Sequence, residues 1–301
     1  MAGTERVTVS LGGRTLTLSN LDKVLYPEVG FTKAQVIDYY TRVAPVMLRH
    51  VAGRCMSLRR WPDGVDQPSF FTKRCPGHRP PWVPVGLGPG DGGGEIGYCR
   101  LEEPAALVWS ANLAAIELHA PMARADDVDS PTMVVFDLDP GPPAAMRECC
   151  AVALELHQVL DAVGLRSFPK TSGGKGLQVY VPLNRAHSHR QAADFALAVG
   201  TLLARADPTR VLVEMARSLR TGRVFVDWSQ NSRHKTTVAA YSMRANPTPS
   251  VSTPLDWEEV AAGAAGEPLR FGPADVLDRV AARGDLFAPT ADLVQELPGP
   301  T

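Results

Sequence analysis

The segment Val134-Val135-Phe136-Asp137-Leu138-Asp139-Pro140 constrains this chain more than any other. It reads as an apolar strand that ends in two carboxylates. Strand side chains alternate faces, so Asp137 and Asp139 share one face while Phe136 and Leu138 point into the core. Two like charges that close repel unless something positive sits between them. A divalent cation such as Mg²⁺ or Mn²⁺ meets that need, because carboxylate oxygens suit hard ions. Taken alone, the same pair also fits a solvated strand end.

Two later segments strengthen the metal reading. Lys170-Thr-Ser172-Gly173-Gly174-Lys175-Gly176-Leu-Gln178 lies between apolar residues (Leu165, Phe168) and a strand pattern (Leu177, Val179, Val181). Three glycines in four positions let backbone N–H groups turn inward as an anion-binding nest. Ser172 and Lys175 add a hydroxyl and a charge, as a triphosphate cradle requires. The spacing differs from a Walker A loop. A glycine hairpin with an exposed lysine is the alternative. In Arg223-Val-Phe-Val-Asp227-Trp-Ser-Gln230-Asn231 another apolar strand ends in a carboxylate. From Arg217 to Arg244 there are six basic residues and one acid, Asp227. That acid fits a third metal ligand among phosphate contacts; it also fits a structural ion pair.

Composition sets the outer limits. The chain has 301 residues, 45% of them hydrophobic, enough for one large domain or two small ones. A net charge of −1 means that any nucleic-acid contact must come from local patches. No apolar run approaches membrane-span length, and no signal pattern opens the chain. Five cysteines with no C-x-x-C spacing point to a reduced, cytosolic protein. Cys75-Pro-Gly-His78 could form half a zinc site but has no matching pair. Arginines outnumber lysines 25 to 6, so the few lysines carry more information. Lys170 and Lys175 flank the glycine loop, Lys235 follows Asp227, and Lys23, Lys33 and Lys73 lie nearer the N-terminus. Several are expected to be phosphate contacts.

The spacing predicts a hairpin over 7–17 and a helix capped by Thr32 and Gln35, running to about His50. Strands are expected near 55–61, 70–73 and 95–101, with a long exposed loop over 80–94. Helices are expected from Pro104 to about Ala115, at 144–163 and at 189–205, with short ones near 255–261 and 273–283. The expected class is α/β (α+β) with mixed sheets flanked by helices. The expected division is an N-terminal portion over 1–125 and a catalytic portion over 126–301.

Phe136-Asp-Leu-Asp139-Pro, Ser172-Gly-Gly-Lys-Gly-Leu-Gln178 and Val226-Asp227 are similar, in order and spacing, to the three motifs of archaeo-eukaryotic primase-type polymerases. More closely, the chain resembles the polymerase domain of bacterial ligase D, the non-homologous end-joining enzyme. That likeness extends to Leu18-Ser-Asn-Leu-Asp-Lys23-Val-Leu-Tyr-Pro27, Arg59-Arg60-Trp61-Pro62, Phe70-Phe71, Glu117-Leu-His119, Val224 to Asn231 and Tyr241-Ser-Met-Arg244. The resemblance implies that Asp137, Asp139 and Asp227 hold two Mn²⁺ or Mg²⁺ ions for nucleotidyl transfer. Ser172, Gly173, Gly174, Lys175 and Arg244 would grip the triphosphate of an NTP or dNTP, His119 would lie near its sugar or phosphates, and Gln230 would order the site. Lys23, Lys33 and Arg60 would bind a 5′-phosphate at a gap, and Phe70 and Phe71 would stack on template bases, of which at most one is expected to be buried. Arg220 and Lys235 would add DNA contacts.

The second motif commonly ends in histidine, where this chain has Gln178. Glutamine can donate a hydrogen bond to phosphate but carries no charge. No K-x-D-G ligase motif is present. The implied activity is that of a DNA-dependent primase-polymerase that fills short gaps, preferring ribonucleotides. The expectation is a stand-alone, monomeric, nucleoid-associated protein, with a separate DNA ligase and a Ku-like end-binding protein as partners. A non-catalytic DNA-end-binding module is the rival; three carboxylates beside DNA argue against it. A haloacid-dehalogenase-like phosphatase shares Phe136-Asp-Leu-Asp, but Gly141 departs from its motif.

Overall fold

The computed structural model describes residues 6–299. It divides into two compact units. One takes in the described residues up to Ala120 with Val238–Val251 and Phe271–Gly284; the other takes in Pro121–Thr237, Ser252–Arg270 and the described residues from Asp285 onward.

In the second unit, five strands lie in the order Phe168–Thr171, Leu177–Pro182, Met133–Pro140, Val224–Asp227 and Val211–Leu212. All neighbours are antiparallel except the last pair, which is parallel. Met133–Pro140 is the middle strand. Val134, Val135, Phe136 and Leu138 are fully buried, whereas Asp137 and Asp139 are only partly so. Both faces are covered along the first half of this strand, and only the second half alternates. Burying each Val, Leu or Phe side chain is worth roughly 1.5–3 kcal/mol. The helices Met146–Ala162 and His189–Ala206 both pack on this strand. The second begins at a reciprocal cap between Ser188 and Gln191, as Ser-x-x-Gln spacing favours.

The neighbouring strand Val224–Asp227 pairs with the middle one only from Asp137 onward. Where that ladder stops, the buried Asn231 continues it. Its Nδ2 donates to the Val135 carbonyl and its Oδ1 accepts from the Val135 N–H, both at 2.8 Å. A side-chain amide thus satisfies a backbone pair that burial would otherwise leave unpartnered.

In the first unit, the strands Phe70–Thr72, Ser57–Arg60 and Ala115–Pro121 lie side by side, antiparallel. The helix Lys33–Val51 starts at the expected Thr32–Gln35 capping box and buries Val36, Tyr40, Val43 and Met47 completely. The N-terminal hairpin pairs Arg6–Leu11 with Arg14–Ser19.

Three expectations are corrected. The exposed loop over 80–94 contains a strand, Val85–Pro89, paired with Glu95–Cys99. Glycines hid it: a Cβ on Gly88 would lie 3.1 Å from the Tyr98 ring, and one on Gly97 would lie 2.7 Å from Val85. Those glycines make room for larger side chains. The helix from Pro104 ends at Asn112, short of Ala115, because Ala114 takes a left-handed φ of 57° and the chain turns into a strand. Cys75 and Cys99 form a disulfide rather than remaining reduced, which also removes Cys75 as a zinc ligand. The Cys75 N–H donates to the Gly97 carbonyl at 2.8 Å and brings the two Cα atoms to 4.8 Å. Cys55, Cys149 and Cys150 are free and buried.

Candidate active site

In the second unit, strand register builds one row of side chains across four strands: Lys170 opposite Gln178, Gln178 opposite Asp137, and Asp137 opposite Asp227. Directly opposed side chains on one face of a sheet lie close enough to interact. Lys170, fully buried, donates to Gln178 Oε1 at 2.6 Å and to Ser252 Oγ at 2.7 Å. Tyr180 donates to the same Gln178 oxygen at 3.1 Å. Two donors on Oε1 fix the amide orientation, so Nε2 is turned to Asp137 Oδ1 at 3.0 Å. Gln178 is 3% exposed and spends both ends of its amide inside the protein. Lys170 is likewise an interior charge.

Burial pushes the Asp137 carboxyl up to about 7, and the charges of Asp139 and Asp227 push the same way. The Gln178 hydrogen bond and Lys170 act against that rise. Asp227, 7% exposed, accepts from the Ser229 N–H at 3.0 Å and from the Ser229 hydroxyl on Oδ1, and from Gln230 Nε2 at 2.9 Å on Oδ2. Lys235 Nζ lies 3.9 Å from Asp227 Oδ2 and donates to Ser229 Oγ. Among the described residues, no three His, Cys, Asp or Glu side chains form a ready-made metal cage. The donor set nevertheless suits a hard divalent cation. It is all carboxylate, and strand register sets Asp137 directly opposite Asp227, two like charges that a cation would neutralise.

The glycine loop is closed by its own serine. Ser172 Oγ accepts from the N–H groups of Gly174 and Gly176, each at 3.2 Å, and the Ser172 N–H donates to the Gly176 carbonyl at 2.9 Å. Gly173 takes φ 70°. Gly176 is required sterically, since a Cβ there would lie 2.3 Å from the Leu138 carbonyl oxygen. Lys175 is exposed at the loop tip. The Arg220 guanidinium lies 3.8 Å over the Phe225 ring, and its Nη2 donates to the Met215 carbonyl.

The first unit holds the other candidates. Lys33 is 5% exposed, and its Nζ donates to the Ser19 carbonyl at 2.6 Å. Burial lowers the Lys33 ammonium to about 8, with Lys23 and Arg60 adding repulsion. Lys23 pairs with Asp63 at 2.8 Å. Arg60 donates to the Leu113 carbonyl at 2.8 Å and lies 5.1 Å over the Phe70 ring. Phe70 and Phe71 are 47% and 49% exposed, so neither is buried. Each stands opposite an arginine, Phe70 across from Arg60 and Phe71 across from Arg59. The Arg59 guanidinium lies 5.3 Å over Phe71.

His119 and Arg244 are brought together by Glu117, a residue that enters the sequence reading only as part of a motif. Glu117 is 2% exposed. Its Oε2 lies 2.9 Å from His119 Nε2, and its Oε1 accepts from Arg244 Nε at 3.0 Å and from the Ala245 N–H at 3.2 Å. Burial alone would raise this carboxyl, but the His119 hydrogen bond and the Arg244 charge hold it at about 2. The Glu-x-His spacing was the available signal, since it sets both side chains on one strand face.

A protein family described as "LigD, primase-polymerase domain" matches residues 32–287. The multifunctional non-homologous end joining protein LigD of Mycolicibacterium smegmatis is 42% identical over 274 residues, covering 90% of this chain and 35% of that protein. The bifunctional LigD of Bacillus subtilis is 30% identical, covering 90% of this chain and 43% of that protein. The chain thus spans less than half the length of these curated relatives. The solved polymerase domain of Mycobacterium tuberculosis Ligase D, in complex with DNA, superimposes with a TM-score of 0.87 at 40% identity, covering 93% of this chain and 99% of that one. The fold is that of a nucleotidyl-transferring polymerase. Specifically, the chain belongs to the LigD primase-polymerase domain family.

Proposed function

We propose that this protein is a DNA-dependent primase-polymerase that extends primers and fills short gaps during end-joining repair, with a preference for ribonucleotides. The observation that carries this reading is the row Lys170–Gln178–Asp137–Asp227, which concentrates carboxylates at one end of the sheet in a polymerase fold. Asp137, Asp139 and Asp227 would hold Mn²⁺ or Mg²⁺, two ions in all. Such ions, when bound, activate a primer hydroxyl and neutralise the triphosphate. Gln178 holds Asp137 in place, and Ser229 and Gln230 do the same for Asp227. Ser172, Gly173, Gly174 and Lys175 form the loop that receives the triphosphate.

In the first unit, His119 and Arg244 contribute nucleotide contacts. Lys23, Lys33 and Arg60 receive a 5′-phosphate, and the exposed Phe70 and Phe71 stack on bases. Arg220 and Lys235 of the second unit contact the DNA backbone. The relative in complex with DNA supports DNA as the ligand, and the end-joining relatives support a DNA ligase and a Ku-like protein as partners. No described helix is long and apolar enough to cross a membrane. The protein works as a monomer at the nucleoid.

The test is nucleotide addition on a one-nucleotide-gapped duplex with Mn²⁺ and ribo- or deoxyribonucleotides, with and without a 5′-phosphate at the gap. The reading requires addition that is stimulated by the phosphate and abolished in Asp137→Ala/Asp139→Ala. Phosphate-dependent binding without addition would make the protein an end-binding module instead.

A further inference from the structure

Strand register places Glu117 at the centre of a second row, in the first unit: Glu117 opposite Arg59, and Arg59 opposite Phe71. Arg59 Nη1 lies 3.6 Å from Glu117 Oε2, and its guanidinium covers Phe71. The Phe71 ring meets the His119 ring edge-on at 5.2 Å between centroids. One buried carboxylate therefore faces His119, Arg244, Arg59 and the Ala245 N–H. A buried carboxylate is costly unless paired, and removal of such a hub leaves several donors unsatisfied.

The chemistry at His119 is directional. An ionised carboxylate only accepts hydrogen bonds, so the imidazole nitrogen that faces it must carry the proton. That nitrogen is Nε2. Nδ1 is then the nitrogen left for a ligand. In the neutral ring it accepts, for example from a sugar hydroxyl; in the imidazolium it donates, for example to a phosphate oxygen. Glu117 supports both states, because Nε2–H persists in each. The same carboxylate holds Arg244 by Nε in a charge-assisted hydrogen bond, which fixes the direction of the guanidinium.

We propose that Glu117 is a positioning residue for the incoming nucleotide: it fixes His119 in the Nε2–H tautomer, aims Arg244, and links both through Arg59 to the aromatic surface at Phe71. This rests on the polymerase reading given above, with His119 and Arg244 as nucleotide contacts. Burial lowers the His119 pKa and Arg244 and Arg59 add to that, while Glu117 opposes them, so the carboxylate is what keeps the protonated ring accessible.

The experiment uses the whole chain as wild type, Glu117→Gln and Glu117→Asp. Histidine ring ¹⁵N shifts, recorded without nucleotide, report the His119 tautomer. The Nε2–H form is expected in wild type and Glu117→Asp, and a shift toward Nδ1–H in Glu117→Gln. Mn·GTP titration and gap-filling kinetics are then compared. Glu117→Gln should weaken GTP binding and raise nucleotide KM by about tenfold or more, the scale of a lost charge-assisted hydrogen bond. Its kcat and its affinity for 5′-phosphorylated DNA should stay near wild type, its melting temperature should fall as buried donors lose their acceptor, and Glu117→Asp should recover part of each loss. A wild-type His119 protonated on Nδ1 would overturn the proposal even if the glutamine variant failed to fold. So would an unchanged KM and tautomer, or a loss of DNA affinity as large as the rise in KM. The tautomer measurement is independent of turnover, so an inactive wild type would refute the polymerase reading without deciding the role of Glu117.

Discussion

Replacing Asp137 with asparagine should stabilise the metal-free protein, and the gain should grow with pH. The folded carboxyl titrates near 7 against 3.8 for the ordinary group, so the folded state holds its proton more tightly than the unfolded state. Between these values the unfolded chain binds fewer protons, and stability falls as pH rises toward 7. The full difference of about three pH units corresponds to roughly 4 kcal/mol at pH 8 and above. The Asp139 and Asp227 charges supply part of that rise and can relax when their neighbour changes, so about 2 kcal/mol is expected from the single substitution. Asparagine is isosteric and its Oδ1 still accepts from Gln178, so no cavity or orphan donor offsets the gain. Urea unfolding in EDTA should show Asp137→Asn more stable than wild type by about 2 kcal/mol at pH 8.5 and nearly equal to it at pH 4. Mn²⁺ should stabilise the wild type alone and narrow the gap. A difference that does not vary with pH, or a destabilised variant at pH 8.5, would refute the reasoning.

Other outcomes follow from local geometry. Gly176→Ala forces a Cβ against the Leu138 carbonyl oxygen and should cost about 1–3 kcal/mol in thermal unfolding and abolish nucleotide addition. Gly174→Ala meets nothing closer than Ser172 Oγ at 3.5 Å and should be within about 0.5 kcal/mol of wild type. Cys75→Ser should cost about 3 kcal/mol, as expected for a disulfide closing a loop of this size, and reductant should bring wild type down to the same melting temperature. Lys33 is charged below about pH 8 and loses its proton as pH rises through that value, so stimulation of gap filling by a 5′-phosphate should fade above pH 8. In Lys33→Arg it should persist at high pH.

Much of the second unit is legible in the sequence because its strands are apolar and periodic. Asp137, Asp139 and Asp227 fall at strand ends, whereas the approach of the Leu138 carbonyl to Gly176 shows only in the folded sheet. What spacing cannot supply is register between strands distant in sequence. Lys170 reads as a phosphate contact because a lysine beside a glycine loop is usually exposed; only the pairing of its strand with Leu177–Pro182 buries it against Gln178. Asn231 gives no periodic signal at all, since its role is to imitate a strand where none continues. The strand at Val85–Pro89 is invisible to propensity because its glycines serve neighbouring side chains across the hairpin rather than turns. Cysteine pairing is a matter of which backbones meet, and Cys75 meets Cys99 through a hairpin that the sequence presents as a loop.

The first unit is assembled from three separate stretches of chain, with Arg244 on the second and the Pro273–Arg283 helix on the third. During synthesis the residues up to Ala120 leave the ribosome without Arg244, so Glu117 waits for a principal counter-ion. At about 5–20 residues per second the delay is on the order of ten seconds, long enough for the whole sheet of the second unit to emerge first. A truncation after Thr237 would therefore remove parts of the N-terminal unit as well as C-terminal ones, and a fragment ending near Ala120 would carry Glu117 without its Arg244 partner.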